Sequence, residues 1–342
     1  MRVLILSDGV PGHDRASLGI LAALAKHREV EARVLPVREI RRLSRRAKRL
    51  LAGLLPFESF WSAFYEIADA GSVNSLPVTP SIPTGDVDLV VSTGPRTAAA
   101  NIALARRLHA KNVYFGLSRW PSDRFFTLLL TPERLPPLSN RAFALPPSDF
   151  DSDQLPSPRP LAANGTERQA ALLFGGQSKH YSYTAADMEL LAEQLSSLTR
   201  DLPWLKWTVF DSRRSPPEFE HLVDSVRTGG APIEFVRFAE QGLASNARAF
   251  RSDLVLVTAD SMSMLAESIA SCRPTGVLFA DRYKPPQRDA IEHQAMIADR
   301  RAFPMRFSGL TADALLNGAE SVETLRGSQL DALYKTIARH GI

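Results

Sequence analysis

Short apolar runs that stop at a glycine, serine or aspartate alternate along this chain with longer stretches of helical periodicity. That alternation constrains the fold more than any other feature. VLILS (3–7) leads through a turn to RASLGILAALAKH (15–27), VEARVLPV (30–37) follows, and DLVVSTG (88–94) precedes PRTAAANIALARRLHA (95–110). KNVYFGL (111–117) and FFTLLLTP (125–132) have the length and composition of further strands. Strands separated by helices pair in parallel, because the chain must cross back over the sheet before the next strand starts. PPSDFDSDQLPSPRPLAANG (146–165) has no periodicity and reads as a linker or an extended edge segment. The pattern then restarts. QAALLFGG, LKWTVFDS, PIEFVRF, RSDLVLVTADS and PTGVLFAD are strands, and AADMELLAEQLSSLTRD carries apolar residues at helical spacing.

A chain of 342 residues also exceeds what one core usually holds. The expected architecture is α/β, two Rossmann-like doubly wound domains facing each other across a cleft. Their expected extents are 1–150 and 167–325, joined by a linker at 151–166. Residues 326–342 form a C-terminal helix, free to pack back on the first domain.

In doubly wound sheets ligands bind beyond the carboxyl ends of the strands, so the strand-end loops carry the search for function. The first is Ser7-Asp8-Gly9-Val10-Pro11-Gly12-His13. Gly9 and Gly12 permit a tight turn and close backbone approach, and the helix that follows offers N–H groups to an anion or a sugar. It has neither the Gly-Lys-Ser/Thr of a Walker loop nor Gly-x-Gly-x-x-Gly. His13 suits a general base near neutral pH, with Asp8 the next candidate; a histidine that merely caps the turn would look the same. The second loop, Ser92 to Thr97, offers Thr93, Gly94 and Arg96 to an acceptor, as a plain capped turn also would. The third, Gly175-Gly176-Gln177-Ser178-Lys179, combines backbone N–H groups, a hydroxyl and one cation, which is what a diphosphate needs. The fourth is TADSMSMLAES (258–268). Asp260 or Ser261 suits an N-cap, and the first-turn N–H groups beside Ser261 and Ser263 make an anion seat. Glu267 repels a phosphate but accepts two hydrogen bonds from vicinal ribose hydroxyls; a Glu on an ordinary amphipathic helix is the plainer reading.

Charge and composition narrow the partners. Hydrophobic content of 44% with 23% charged residues is that of a soluble globular chain, and no apolar run approaches the length of a membrane span. The N-terminal apolar run is shorter than a secretory leader needs, so no export is expected, and the single cysteine, Cys272, cannot form an internal disulfide; both fit a cytoplasmic expectation. The net charge of +4 is concentrated in VREIRRLSRRAKRLLAGLLPFESFWSAF, where arginines run into leucines and aromatics. Residues 38–64 suit an anionic membrane surface, with a solvated helix packed on its own domain as the alternative. Regularly interleaved aromatics of a nucleic-acid binder are missing, so nucleic acid is not an expected partner. No His, Asp or Cys group has metal-ligand spacing, and no metal or cofactor is expected.

Taken together, SDGVPGH, GGQSKHY, SRRSPPE and TADSMSMLAES resemble the mitochondrial-fission ELM family, and the two-domain plan is similar to GT-B glycosyltransferases. These stretches run from residue 7 to beyond residue 260, so the resemblance covers most of the chain. Bacterial members of the family are regarded as nucleotide-sugar glycosyltransferases. The resemblance implies that the C-terminal half binds a nucleotide-sugar donor and the N-terminal half a glycan or glycolipid acceptor. Gly175, Gly176, Ser178, Ser261, Met262 and Ser263 would surround the diphosphate, Glu267 the ribose, and Arg213 and Arg214 would add positive charge. It also implies a metal-independent enzyme acting on a lipid-linked or cell-envelope glycan at the inner membrane face. A nucleotide-sugar epimerase and a non-catalytic membrane scaffold are the alternatives. Cys272 stands where the family has Gly near a helix end, Met262 where it has Val, and Ser215 where it has Thr.

Overall fold

The computed structural model describes residues 1–39, 65–67, 76–79, 81–82, 85–117, 123–136, 138–161, 166–178, 181–241 and 244–342. They divide into two compact units, Met1–Phe150 with Gln329–Ile342, and Asp151–Ser328.

The first unit is built on β1 (Arg2–Ser7), β2 (Glu31–Glu39), β3 (Tyr65–Ile67), β4 (Leu89–Thr93), β5 (Lys111–Phe115), β6 (Leu128–Thr131) and β7 (Arg141–Phe143). Their order in the sheet is β3-β2-β1-β4-β5-β6-β7, parallel except where β3 runs against β2. Alternation along β1 divides the core in two. Val3 and Ile5 face α1 (Pro11–Ala25) through Ile20 and Leu24, while Leu4 and Leu6 face α2 (Ala98–Arg107) through Ala100 and Leu104. Helix α1 starts four residues before the periodicity suggested, because Pro11 sits in its first turn with its φ already helical. Gly12 and His13 therefore belong to the helix, not to the loop. Helix α2 starts after Pro95, with Thr97 as its N-cap.

The second unit carries β8 (Arg168–Leu173), β9 (Leu205–Phe210), β10 (Ile233–Val236), β11 (Leu254–Thr258), β12 (Thr275–Phe279) and β13 (Phe303–Arg306). They form one parallel sheet ordered β10-β9-β8-β11-β12-β13. Its main helices are α3 (Ala185–Asp201), α4 (Phe219–Thr228), α5 (Met262–Ala270), α6 (Gln287–Ala298) and α7 (Ala312–Ser321). Helix α3 spans the residues that carry the helical spacing, and Thr184 and Asp187 form a capping box at its N-terminus. Strands β3, β7 and β13 have no counterpart in the sequence reading; at three or four residues they are too short for alternation to register.

Two segments outside the sheets are tied down. The proline-rich stretch after residue 150 is held at Arg159, whose N–H, Nε and Nη2 all donate to Asp253 at 2.7–3.0 Å. Burial opposes the Asp253 charge, but these bonds and one from the Gln169 N–H outweigh it and hold its pKa below the usual carboxylate value. The last helix, α8 (Gln329–Arg339), packs on α1: Tyr334 stacks on His27 at 4.1 Å, and Asp331 lies 2.8 Å from His27 Nε2.

Candidate active site

Strands β8, β9 and β11 end in three loops that lace into one another. The Gly175 N–H donates to Thr258 Oγ1 at 2.7 Å, and the Thr258 hydroxyl donates to Asp260 Oδ1 at 2.8 Å. The Tyr183 hydroxyl donates to the same oxygen at 2.7 Å, and Arg214 meets Oδ2 at 3.2 Å. The Gln177 N–H donates to the Arg214 carbonyl at 2.9 Å, and the Ser212 hydroxyl closes on the Gly175 carbonyl. Two glycines make this approach feasible. A Cβ on Gly175 would stand 2.3 Å from Asp260 Oδ2, and one on Gly176, at φ +108°, 2.2 Å from the Arg214 carbonyl.

The lacing changes what two residues can do. Thr258 is fully buried, and so is the Asp260 side chain, with all its oxygens engaged inside the protein. Burial pushes the Asp260 pKa up, against the hydrogen bonds of Tyr183 and Thr258 and the charge of Arg214. Both were expected to contact a donor. The structure corrects this: they join the three loops from behind, and neither has surface left for a ligand. Asp260 is not the N-cap of α5 either. Ser261 is, and its side chain makes no capping bond, while the first turn holds no acidic residue. Such a terminus presents backbone N–H groups and the positive end of the helix dipole.

Around this terminus the remaining expected residues are placed as follows. Gly175 and Gly176 are buried; Ser178, whose N–H donates to the Tyr181 carbonyl at 2.9 Å, turns their loop back. Ser261 is nearly buried, Met262 is half-buried and Ser263 is exposed. Glu267 is 4% exposed, in the second turn of α5. Arg213 is exposed, and Arg214 is committed to Asp260. Lys179 lies outside the described residues.

In the first unit, the loop after β1 is short. Gly9 adopts φ +72° with open space where a Cβ would point. Asp8, its side chain 2% exposed, accepts the Val10 N–H at 3.2 Å and lies 3.0 Å from His13 Nδ1. A carboxylate partner assigns the proton to Nδ1 and leaves the Nε2 lone pair outward. Asp8 was read as a reserve base; so deeply buried, it orients His13 instead. Gly94, at φ +93°, lies against the imidazole: a Cβ there would come within 2.3 Å of Nδ1. Thr93, expected to touch an acceptor, is buried and accepts the Ser17 hydroxyl at 3.0 Å, so it has no face for one. Arg96 and Gly12 are exposed.

Asp14 escaped the sequence reading. One of its oxygens is buried without a partner, and burial pushes its pKa up, opposed by the Ser7 hydroxyl and His13 and reinforced by Asp8. A second carboxylate directly after the candidate base was the available signal.

A family model described as mitochondrial fission ELM1 matches residues 11–331. The chain belongs to that family. Three solved structures share its fold at low identity. MurG from Acinetobacter baumannii is 13% identical with a TM-score of 0.50, covering 98% of this chain and 99% of that one. UDP-GlcNAc 2-epimerase from Neisseria meningitidis, bound to UDP-GlcNAc, is 12% identical at TM-score 0.51, covering 99% and 98%. The glycotransferase of kitacinnamycin is 13% identical at TM-score 0.50, covering 99% and 95%. No curated protein matches the chain. Cys272 follows α5 at φ +62°, the left-handed conformation that Gly adopts without strain.

Of the basic and aromatic stretch 38–64, Arg38 lies in β2 and pairs with Glu66 at 2.6 Å, while 40–64 fall outside the described residues. Among the described residues, no helix is long and apolar enough to cross a membrane, and no group of three His, Cys, Asp or Glu could hold a metal ion.

Helix α6 places His293 beneath the β12 end, 2% exposed and edge-on to Phe279 at 5.3 Å, with neither ring nitrogen bonded. Burial pushes its pKa below the usual histidine value, opposed by Asp289 and the Ala259 backbone. The unfolded chain then binds a proton that the folded protein resists. Stability should therefore fall as pH drops below about 6.5, by no more than about 1.4 kcal/mol per pH unit for this one group. Melting curves between about pH 7 and pH 5 on the native chain and on His293→Phe check it: the variant should lose part of the slope.

Proposed function

We propose that the chain is a glycosyltransferase, moving a sugar from a nucleotide-diphosphate donor bound by the second unit to a hydroxyl on an acceptor bound by the first. One observation carries the reading: the uncapped N-terminus of α5 stands where the Gly175–Gly176 loop is laced against it. The diphosphate sits on the N–H groups of this terminus and loop, with the hydroxyls of Ser178, Ser261 and Ser263, and with Lys179 and Arg213 as cations. Arg214 acts indirectly, by holding Asp260. Glu267 accepts the two ribose hydroxyls.

His13 takes the acceptor proton at Nε2 while Asp8 steadies Nδ1–H, and Gly9, Gly12, Gly94 and Arg96 border the acceptor. As the acceptor oxygen bonds to the anomeric carbon, the bond from that carbon to the diphosphate oxygen breaks. The leaving charge stays on the phosphate, where backbone N–H groups and basic side chains stabilise it without calling on a divalent cation. The acceptor is a lipid-linked or cell-envelope glycan at the inner membrane face, with residues 38–64 contacting anionic lipid. The shared fold with a kitacinnamycin glycotransferase supports the reaction class.

A thermal-shift screen over UDP-, GDP-, CMP- and TDP-sugars identifies the donor, since a ligand of the native state raises its melting temperature. Titration calorimetry with that donor should find Glu267→Ala weakened by at least about tenfold, because each lost charge-assisted bond is worth roughly 1.5–3 kcal/mol at most. A chain that no nucleotide sugar stabilises would end the proposal. An epimerised sugar nucleotide, formed with no acceptor present, would replace it with the epimerase reading, which the fold of the Neisseria enzyme also accommodates.

A further inference from the structure

We propose that the first unit carries a second ligand site, for a phosphate monoester, in the cavity where α2 ends and β5 begins. The cavity has a volume of about 420 Å³ and is lined by Arg106, His109, Asn112, Arg124, Phe125 and Thr127 among others, with three basic side chains and no carboxylate. That volume suits a small phosphorylated molecule or a lipid headgroup. It opens at the amino end of β5, whereas His13 follows the carboxyl end of β1 in the same parallel sheet. The site is therefore separate from the proposed acceptor region.

Two of its lining side chains are guanidinium groups without a carboxylate partner among the described residues. Arg2, Arg141, Arg159, Arg214, Arg237 and Arg248 each pair with a carboxylate. Among the described residues Arg106 and Arg124 pair with none. Both instead lie over the Phe125 ring, 4.9 and 5.0 Å from its centroid. Asp123, the adjacent carboxylate, is taken by Arg141 at 3.1 Å. Stacking on one ring holds both planar forks near the same opening while their N–H donors stay available. Guanidinium forks match the oxygens of a phosphate, and a dianion meets two of them better than a single carboxylate does.

The floor is rigid. Asn112, 4% exposed, donates to Asn101 Oδ1 at 2.8 Å and to the Phe125 carbonyl at 3.3 Å, and accepts the Thr127 N–H at 2.8 Å. Asn140 donates to the Asp123 and Phe126 carbonyls at 2.7 and 2.9 Å, and Tyr114 stacks on Phe126 at 5.0 Å. The backbone on either side of Phe125 is thus pinned before any ligand arrives, which lowers the ordering cost of binding.

His109 points the same way. It closes α2 in the left-handed conformation, φ +51°, where glycine is the favoured residue. A histidine there costs strain and places an imidazole on the cavity wall. The same turn answers the objection that a helix C-terminus repels anions. The His109 and Ala110 N–H groups occupy the Arg106 and Ala105 carbonyls at 3.3 and 2.8 Å.

The test compares the full chain with Arg106→Gln/Arg124→Gln, whose side chains are exposed and contribute no ion pair to folding. Calorimetry with glycerol 3-phosphate should show binding to the native protein that falls at least about tenfold in the double variant. Affinity for the nucleotide sugar should not change, which separates this site from the donor site. Sedimentation with vesicles carrying phosphatidic acid or, at matched surface charge, phosphatidylglycerol identifies the source of the phosphate, since residues 38–64 would contact both anionic surfaces alike. If the natural ligand is a lipid headgroup, the double variant loses the preference for phosphatidic acid over phosphatidylglycerol. If it is a soluble ester, only glycerol 3-phosphate binding falls. Arg106→Lys/Arg124→Lys keeps the charge without the forks and should bind more weakly than the native protein. The proposal is overturned if native chain and Gln variant bind each probe alike, or if the native chain binds neither.

Discussion

Replacing His13 with alanine is expected to lower turnover by about 10²–10⁴-fold, the usual worth of a positioned general base, with donor affinity almost unchanged. The proposed donor site lies on the second unit, so removing an imidazole from the first leaves its contacts intact. His13→Asn keeps some hydrogen bonding but cannot take the proton, and should be equally inactive. Asp8→Asn is the sharper probe. Asp8 meets His13 Nδ1 at 3.0 Å. An amide there can donate to Nδ1 and place the imidazole proton on Nε2, the nitrogen that must accept. That variant should fold and bind donor yet turn over slowly. Release of nucleoside diphosphate, followed beside calorimetric donor affinity, separates the outcomes. Full turnover in His13→Asn would make His13 a positioning residue, and lost donor affinity in either variant would break the division between the units.

The second large effect belongs to Asp260. Its carboxylate receives the Tyr183 and Thr258 hydroxyls and the Arg214 guanidinium, and through Thr258 it reaches the Gly175 N–H. Asp260→Ala leaves buried donors without an acceptor and should cost about 3–5 kcal/mol of stability. Asp260→Asn should cost much less. It gives up an ion pair to an arginine that is more than a third exposed, worth under about 1 kcal/mol, and it spares the burial of a charge. Urea titrations of the two variants measure the difference. The same Ala variant should weaken donor binding without Asp260 touching the donor, because the Gly175, Arg214 and Ser261 loops lose their common anchor. Equal stability for the Ala variant and the native chain would remove Asp260 from that role.

The alternation of strands and helices in each unit, the helix at 185–201 and the position of the four strand-end loops were legible in the chain. Each rests on local rules: periods of two and 3.6 residues, glycine at strand ends, and a capping box that spans four residues. Helix α1 was misplaced by a turn for an equally local reason, since a proline in the first turn carries no periodicity. The candidate site was legible as a set of loops but not as a set of roles. Thr93, Thr258 and Asp260 turn inward, while His13 and Ser261 stand at the starts of α1 and α5 and Gly94, Gly175 and Gly176 in the loops beside them.

What the sequence by itself determined is therefore the α/β plan of both units and which loops carry polar residues at the strand ends. Only the tertiary structure decided which of those residues turn inward. A hydroxyl or carboxylate turns inward when a partner waits for it, and those partners lie far away in the chain. Thr258 meets a backbone N–H 83 residues away, Asp260 a guanidinium 46 residues away, and Thr93 a hydroxyl 76 residues away. No local pattern encodes such a pairing, because it exists only after the parallel strands have brought their carboxyl ends side by side.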